Sequence, residues 1–195
     1  MRRYGIALLA AAALVAGCDE DTMEMETPTT FDVTVENVAS TYTYPASGHF
    51  AVPVGGSDPA PIFPGEAYEV TVPGLPGQKL SFATMFVQSN DLFYAPAEGG
   101  IDLYDGMGGP VSGDVTSQVM LWDAGTETDQ PLGEGPDQAP RQSGPDTGAD
   151  DADGSIRLAS ASYAGYPAAS EVIEVTLTPN GDHTFTLRIE NVSTS

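Results

Sequence analysis

The fold is decided by the stretch Glu171-Val172-Ile173-Glu174-Val175-Thr176-Leu177-Thr178, the turn Pro179-Asn180-Gly181-Asp182, and the segment His183-Thr184-Phe185-Thr186-Leu187-Arg188-Ile189-Glu190. In both segments apolar and polar side chains alternate, which is typical of β-strands with one buried face. The Asn-Gly pair between them is a strong signal for a tight hairpin turn. The sequence therefore predicts an antiparallel hairpin at this end of the chain.

Further short segments with β-strand patterns precede the hairpin. They cover residues 31–38, 68–72, 79–87, 101–104, 114–122 and 155–158, and weaker candidates cover 42–44 and 49–54. The segment 79–87 is apolar on both faces, which predicts a central strand, and residues 89–96 are expected to form the loop at its end. In 114–122 the inward residues are expected to be Val115, Val119 and Leu121. No segment after the N-terminal leader has a helical period, so we predict an all-β, antiparallel β-sandwich of about eight strands.

Residues 128–154 lose the hydrophobic pattern altogether. They contain four prolines and five glycines, and Leu132 is their only large aliphatic residue. This composition predicts a long irregular acidic loop, and such loops in compact domains are usually functional or mobile. The acidic run 146–154 within it lacks the ligand spacing and flanking helices of an EF-hand, so we interpret it as a solvated loop with at most weak ion binding.

The N-terminus carries the features of a secretory signal. A short basic segment, Arg2-Arg3, precedes an apolar stretch from Ile6 to Ala16 that is too short to span a membrane. Val15-Ala16-Gly17-Cys18 resembles the lipobox of prokaryotic lipoproteins, which implies cleavage before Cys18, lipidation of its thiol and anchoring at the cell envelope. We therefore predict a signal peptide over 1–17, a lipidated, disordered acidic tether over 18–30, and one domain over 31–195.

Composition restricts the partners that this domain can bind. The chain has 28 acidic and 6 basic residues, a formal net charge of −22 at pH 7. Such a surface repels nucleic acid, polyanions and anionic lipid, and it attracts divalent cations and basic partners. Like charges also oppose self-association, so we expect a monomer. Cys18 is the only cysteine, so no internal disulfide can form and the fold must depend on its core or on a metal.

Three acids in two predicted loops form a candidate cation site. Asp123 and Glu127 lie four residues apart with Gly125 between them, which lets the chain turn so that both carboxylates face one point. Asp91 would join them from another loop at the same end. Calcium prefers such oxygen ligands, six to eight of them at about 2.3–2.6 Å. The alternative is that these residues are solvated loop acids.

The segment Trp122-Asp123-Ala124-Gly125-Thr126-Glu127, preceded by Ser89-Asn90-Asp91, resembles the spondin domain family, the N-terminal module of F-spondin. The resemblance runs from about Phe31 to the C-terminus. It implies a C2-like β-sandwich that binds calcium through Asp91, Asp123 and Glu127. Two departures stand out: Asn90 and Leu92 replace a proline and a tryptophan, and Glu127 replaces an aspartate.

Together these features predict a membrane-anchored, cell-surface calcium-binding module for adhesion or recognition of an unknown protein or surface ligand. We expect no enzymatic activity. Two alternatives remain: a glycan-acting enzyme that uses Asp91 with Glu127, and a module in which calcium is purely structural. Neither a zinc site nor a serine hydrolase triad is indicated, because His49 and His183 have no suitable neighbours and no nucleophile elbow is present. Trp122 is expected to be a core or rim anchor beside the ion rather than a platform that stacks on a ligand.

Overall fold

The computed structural model describes Thr34, residues 45–159 and residues 165–194. The ranges 45–159 and 165–194 fall within one compact unit, Tyr42–Ser195. The predictions for the signal peptide, Cys18, the tether and the strands at 31–38 and 42–44 lie outside the described residues, apart from Thr34. Among the described residues, no helix has the length and apolar character needed to cross a bilayer.

The described residues form an antiparallel all-β fold. Two four-stranded sheets have the strand orders β1-β10-β9-β6 and β3-β4-β7-β8, and β2 pairs with β5 in a third, two-stranded sheet. The strands are β1 (Ala67–Pro73), β2 (Lys79–Leu80), β3 (Thr84–Met85), β4 (Leu92–Pro96), β5 (Ile101–Asp102), β6 (Gly113–Asp114), β7 (Val119–Asp123), β8 (Arg157–Leu158), β9 (Ile173–Gly181) and β10 (Thr184–Asn191). The predicted all-β class is confirmed, with ten strands rather than about eight.

The hairpin of β9 and β10 has the buried face that its alternation predicts. Val175, Leu177, Phe185 and Leu187 are at most 3% exposed. The turn, however, lies two residues later than the Asn-Gly pair. Gly181 pairs with Thr184 after a register shift, and the two residues between them both have positive φ, 50° and 56°. Positive φ at both central positions suits the right-handed twist of the flanking strands.

The predicted central strand over 79–87 is wrong. Its ends form β2 and β3, which belong to different sheets, and β3 is an edge strand. Leu80 and Phe82 still pack against the core, whereas the other face of the segment, with Ser81, Ala83, Met85 and Val87, is exposed. The expected loop over 89–96 is also wrong in part, since residues 92–96 form β4 inside the second sheet, with Leu92 and Tyr94 only 1% exposed.

The predicted strand over 114–122 is divided by a 3-10 turn at Thr116–Gln118, after which β7 begins. The Val175 amide donates a hydrogen bond to the Thr116 hydroxyl oxygen at 2.8 Å, so this turn is joined to β9. Val115 and Val119 are buried as predicted, and Leu121 is half-buried. The strand predicted to begin at residue 171 begins two residues later, because residues 171 and 172 belong to a single-turn helix, α1 (Ala169–Val172).

The long loop over 128–154 is irregular, as predicted, and it leaves and re-enters the fold beside β7. It contains no strand or helix, and one isolated bridge joins Glu127 to Asp150. Strand β8 then pairs with the end of β7, with Asp123 opposite Arg157. The three predicted ligands lie at one end of the second sheet. The end of β7, the start of β4 and both ends of this loop meet there.

Candidate functional site

Asp91 holds the segment that follows β7. Its Oδ2 accepts hydrogen bonds from the Thr126 amide at 2.8 Å, the Thr126 hydroxyl at 2.9 Å and the Glu127 amide at 3.1 Å. The Asp91 carbonyl also accepts the Ala124 amide at 3.3 Å. The structure thus brings Asp91 against the segment 123–127 through backbone contacts as well as through its carboxylate.

Asp123 is the last residue of β7 and is fully buried. Its Oδ1 accepts the Gly125 amide at 2.7 Å, and its Oδ2 lies 2.5 Å from Arg157 Nη2 as an ion pair. Burial raises the pKa of Asp123, and the charges of Asp91 and Asp129 raise it further, while the Gly125 hydrogen bond and Arg157 oppose them. The carboxylate is therefore held in a strongly acidic, desolvated environment with one neighbouring cation.

Gly125 makes the turn between the two acids possible, as the sequence predicts. Its φ is +70°, a left-handed conformation that favours glycine. A Cβ at this position would lie 2.6 Å from the Ser155 carbonyl oxygen and 2.8 Å from that of Asp153. The far end of the long loop therefore packs directly on Gly125, and only a residue without a side chain fits there.

Glu127 is 4% exposed, but its carboxylate faces the long loop. Oε1 accepts the Gly148 amide at 2.8 Å, and Oε2 accepts a longer hydrogen bond of 3.3 Å from Asn90 Nδ2. The Thr128 amide reinforces this attachment by donating to the Ala149 carbonyl at 2.7 Å. Glu127 thus ties the loop to the residue before Asp91, and its Oε2 is the less firmly engaged oxygen.

Two buried carboxylate oxygens at the site differ in how they are satisfied. Asp91 Oδ1 has no hydrogen-bond partner among the described residues, whereas Asp123 Oδ2 lies 2.5 Å from Arg157 Nη2 as an ion pair. Buried polar oxygens are normally satisfied, so Asp91 Oδ1 calls for an explanation. A cation or a water molecule bound there would supply one.

Sequence reasoning missed three residues of this site: Asp129, Arg157 and Tyr166. Burial raises the pKa of Tyr166, and so do its hydrogen bond to Asp129 and the negative charges of Asp129, Asp123 and Asp91. All four groups therefore share one electrostatic environment. Arg157 could have been noticed as the one basic residue directly after the acidic run, but nothing in the sequence indicates Tyr166.

The acidic run 146–154 is largely exposed, as expected, yet part of it binds Arg157. Asp151 forms an ion pair with Arg157, and Arg157 Nη1 donates to the Asp153 carbonyl at 2.6 Å. The pKa of Asp151 is lowered, first by its hydrogen bond from the Asp153 amide and then by that from Arg157. Arg157 consequently links this run to the buried Asp123.

The predicted ligands fit a calcium ion in chemistry but only partly in arrangement. The atoms that could bind a metal here are oxygens, which suit calcium rather than zinc. Asp91 presents a buried oxygen without a hydrogen-bond partner among the described residues, Asp123 is paired with Arg157, and Glu127 is turned toward Gly148. Within the ranges that the structure describes, no group of three or more His, Cys, Asp or Glu residues is arranged to hold a metal ion.

The chain was compared with known proteins at three levels. Family models, curated proteins and solved structures gave no match.

Proposed function

We propose that this protein is a cell-surface, membrane-anchored β-sandwich module of the spondin type, which binds calcium and serves adhesion or partner recognition. The observation that supports this proposal best is Asp91 Oδ1, a buried carboxylate oxygen without a hydrogen-bond partner among the described residues, at the same site as the buried Asp123. The anchor in the proposal is the lipidated Cys18.

Charge balance favours a divalent cation at this place. Asp91 and Asp129 both act on the buried Asp123, and among the described residues Arg157 is the one cation beside it. Burying carboxylates costs several kcal/mol per ion unless a cation or hydrogen bonds compensate. A bound calcium ion would supply two positive charges to these oxygens. Asp91 and Asp123 would hold it, with Glu127 as the third candidate through its weakly bonded Oε2.

The same residues suggest what calcium does for the module. Asp91 precedes β4, Asp123 ends β7, and Glu127 holds the long loop through Gly148. Cation binding here would join the ends of two strands and the loop at one end of the sheet. Calcium would thereby fix the loops at this end for recognition. Extracellular modules of this kind bind calcium with dissociation constants of about 0.1–1 mM.

Calorimetric titration of purified, chelator-treated protein with calcium chloride tests the proposal. We expect a saturable signal with a dissociation constant of about 0.1–1 mM and a calcium-dependent rise in melting temperature. Asp91→Asn should weaken calcium binding at least about tenfold, since an amide oxygen loses the negative charge that attracts the ion. Asp182→Asn, in the exposed hairpin turn, is the matched control and should bind as the wild type does.

The outcomes separate the remaining alternatives. Protein that takes up no calcium at millimolar concentration, and melts at one temperature with or without chelator, would rule out the metal site. Turnover of a panel of surface glycans, lost in Asp91→Asn while the fold is retained, would favour the enzyme. Calcium that raises the melting temperature but leaves partner binding unchanged would assign the ion a structural role only.

A further inference from the structure

The outer face of the second sheet carries an apolar row that crosses all four strands. Met85 of β3 pairs with Phe93 of β4, Phe93 pairs with Trp122 of β7, and Trp122 pairs with Leu158 of β8. Residues paired directly across antiparallel strands project from the same face. Their neighbours along the strands, such as Tyr94 and Asp123, are buried on the opposite face. We call these four residues the outer apolar row.

The outer apolar row is exposed to an unusual degree for a sandwich. An outward sheet face is normally polar, but Met85 is 52% and Leu158 37% exposed, and both Phe93 and Trp122 are half-buried. Met120, on the same face of β7, is 40% exposed, and Ile156, just before β8, is 66% exposed. Contiguous exposed apolar surface of this kind marks interaction sites.

A shallow groove adjoins the row and gives it shape. Aromatic side chains, two glycines of the β4–β5 turn and one acidic side chain line it. Its lining includes Phe93, Pro96, Glu98, Gly99, Trp122 and Ile156. The Trp122 indole donates to the Ala95 carbonyl at 3.2 Å, which fixes the ring in this position. The Trp122 part of the groove is therefore held by a contact to the backbone of β4.

The negative charge of the chain restricts the kind of partner that can bind this surface. The chain carries a net charge of −22, Glu98 lines the groove, and the exposed Asp153 lies three residues before Ile156. A second copy or an anionic membrane would add like charge and be repelled. Lys79, Arg157 and Arg188 are already engaged in ion pairs with acidic groups of this chain.

We propose that the outer apolar row and its groove bind a polypeptide segment that has apolar side chains at its centre and Lys or Arg at its flanks. The apolar centre buries the row, and the basic flanks meet Glu98 and the surrounding acidic surface. This inference specifies the partner in the recognition role proposed above and rests on that role, but it does not require the calcium site.

The single tryptophan of the chain makes the surface directly observable. Trp122 lies in the row, so its fluorescence reports binding there without a label. The probes are two synthetic octapeptides with the same Val-Phe-Val-Phe centre, one flanked by two lysines at each end and the other by two glutamates. We expect the lysine peptide to shift the emission saturably and to bind at least about tenfold more weakly at high salt, because screening removes the attraction between charges. The glutamate peptide should cause no shift.

Two methionine variants provide the matched control. Met85→Glu places a charge in the row and should abolish binding of the lysine peptide. Met107→Glu makes the same change at a residue that is 94% exposed in the β5–β6 loop, and it should bind like the wild type. Melting temperatures of both variants establish that they are folded. Because Met85 is itself about half exposed, the substitution is compatible with folding.

Several results would overturn the inference. They are equal binding of the two peptides, unchanged binding by Met85→Glu, and an emission shift that neutral lipid vesicles, a neutral oligosaccharide or higher protein concentration produce alone. Repeating the titration with chelator distinguishes this inference from the calcium proposal. Absence of calcium uptake in the calorimetric titration, with peptide binding that persists in chelator, would contradict only the calcium site, and calcium uptake without peptide binding would contradict only this surface.

Discussion

Arg157 Nη2 lies 2.5 Å from Asp123 Oδ2, so the most deeply buried carboxylate of the candidate site already has a cation of the protein beside it. The same guanidinium forms an ion pair with Asp151 and contacts the carbonyl of Asp153. Arg157 is thus both a partner of Asp123 and a link to the acidic run of the long loop.

Arg157→Gln is expected to lower the free energy of unfolding by about 3 kcal/mol in chelator, because it leaves the buried Asp123 without its cation. If calcium binds at Asp123, the variant should also bind calcium more tightly, since the competing positive charge is gone, and calcium should restore part of the lost stability. Urea unfolding with and without calcium measures both effects. Arg188→Gln, which removes the half-exposed ion pairs with Glu69 and Glu190, is the control and should cost less than about 1 kcal/mol. Equal losses in the two variants would contradict this prediction.

Gly125→Ala is expected to destabilise the fold by more than about 2 kcal/mol, since a left-handed conformation alone costs an alanine about 1–2 kcal/mol. The added Cβ would also lie 2.6 Å from the Ser155 carbonyl oxygen. Gly133 has the same φ of +70° but open space around it, so Gly133→Ala should lose only the free energy that alanine needs to adopt the left-handed conformation. The difference between the two variants in urea unfolding measures the packing of the loop on Gly125. No difference would mean that the loop can move away freely.

Gln138 anchors the long loop from a fully buried position. Its Nε2 donates to Asn90 Oδ1 at 3.1 Å and to the Pro131 carbonyl at 3.0 Å. Gln138→Ala should cost about 2 kcal/mol, because buried polar groups lose their partners. Proteolytic cleavage within 128–154 should accelerate. Gln142→Ala in the same loop is the control, and cleavage at the same rate in both variants would show that Gln138 does not hold the loop.

The stability of the fold is expected to depend on pH through Asp114, and the sign of this dependence follows from the hydrogen bonds of Asp114. Its Oδ1 accepts the Thr116 amide at 2.8 Å, and hydrogen bonds from the Thr116 side chain and amide lower the pKa of Asp114 from its usual 3.8. A carboxyl group with a lowered pKa in the folded state stabilises the fold above the unfolded value and loses that contribution as the pH falls through the folded value. The melting temperature of Asp114→Asn should therefore lie below that of the wild type at pH 7, and the gap should narrow as the pH falls below 3.8. A gap that stays constant over this range, or that the control Asp58→Asn shares, would contradict the assignment.

The sequence alone determined the strand faces and the acidic segment of the site. Alternation over 171–190 predicted the buried residues of the terminal hairpin correctly, because side chains of a strand point to opposite faces in turn whatever the strand pairs with. Likewise, Gly125 between Asp123 and Glu127 indicated a turn that only glycine permits, and the structure has that turn. Loss of hydrophobic pattern over 128–154 correctly indicated an irregular loop. These properties are local, and local sequence carries them.

Tertiary structure alone decided which segments meet. Apolar side chains on both faces of 79–87 predicted a central strand, but the face with Ala83, Met85 and Val87 is exposed, because the chain crosses between sheets and β3 lies at a sheet edge. Glu127 turned toward Gly148, and Arg157 came to lie beside Asp123, because the long loop folds back on the end of β7. The outer apolar row arises only when Met85, Phe93, Trp122 and Leu158, distant in sequence, align in one register. Contacts between distant segments depend on the pairing of strands and the path of loops, which no single segment encodes.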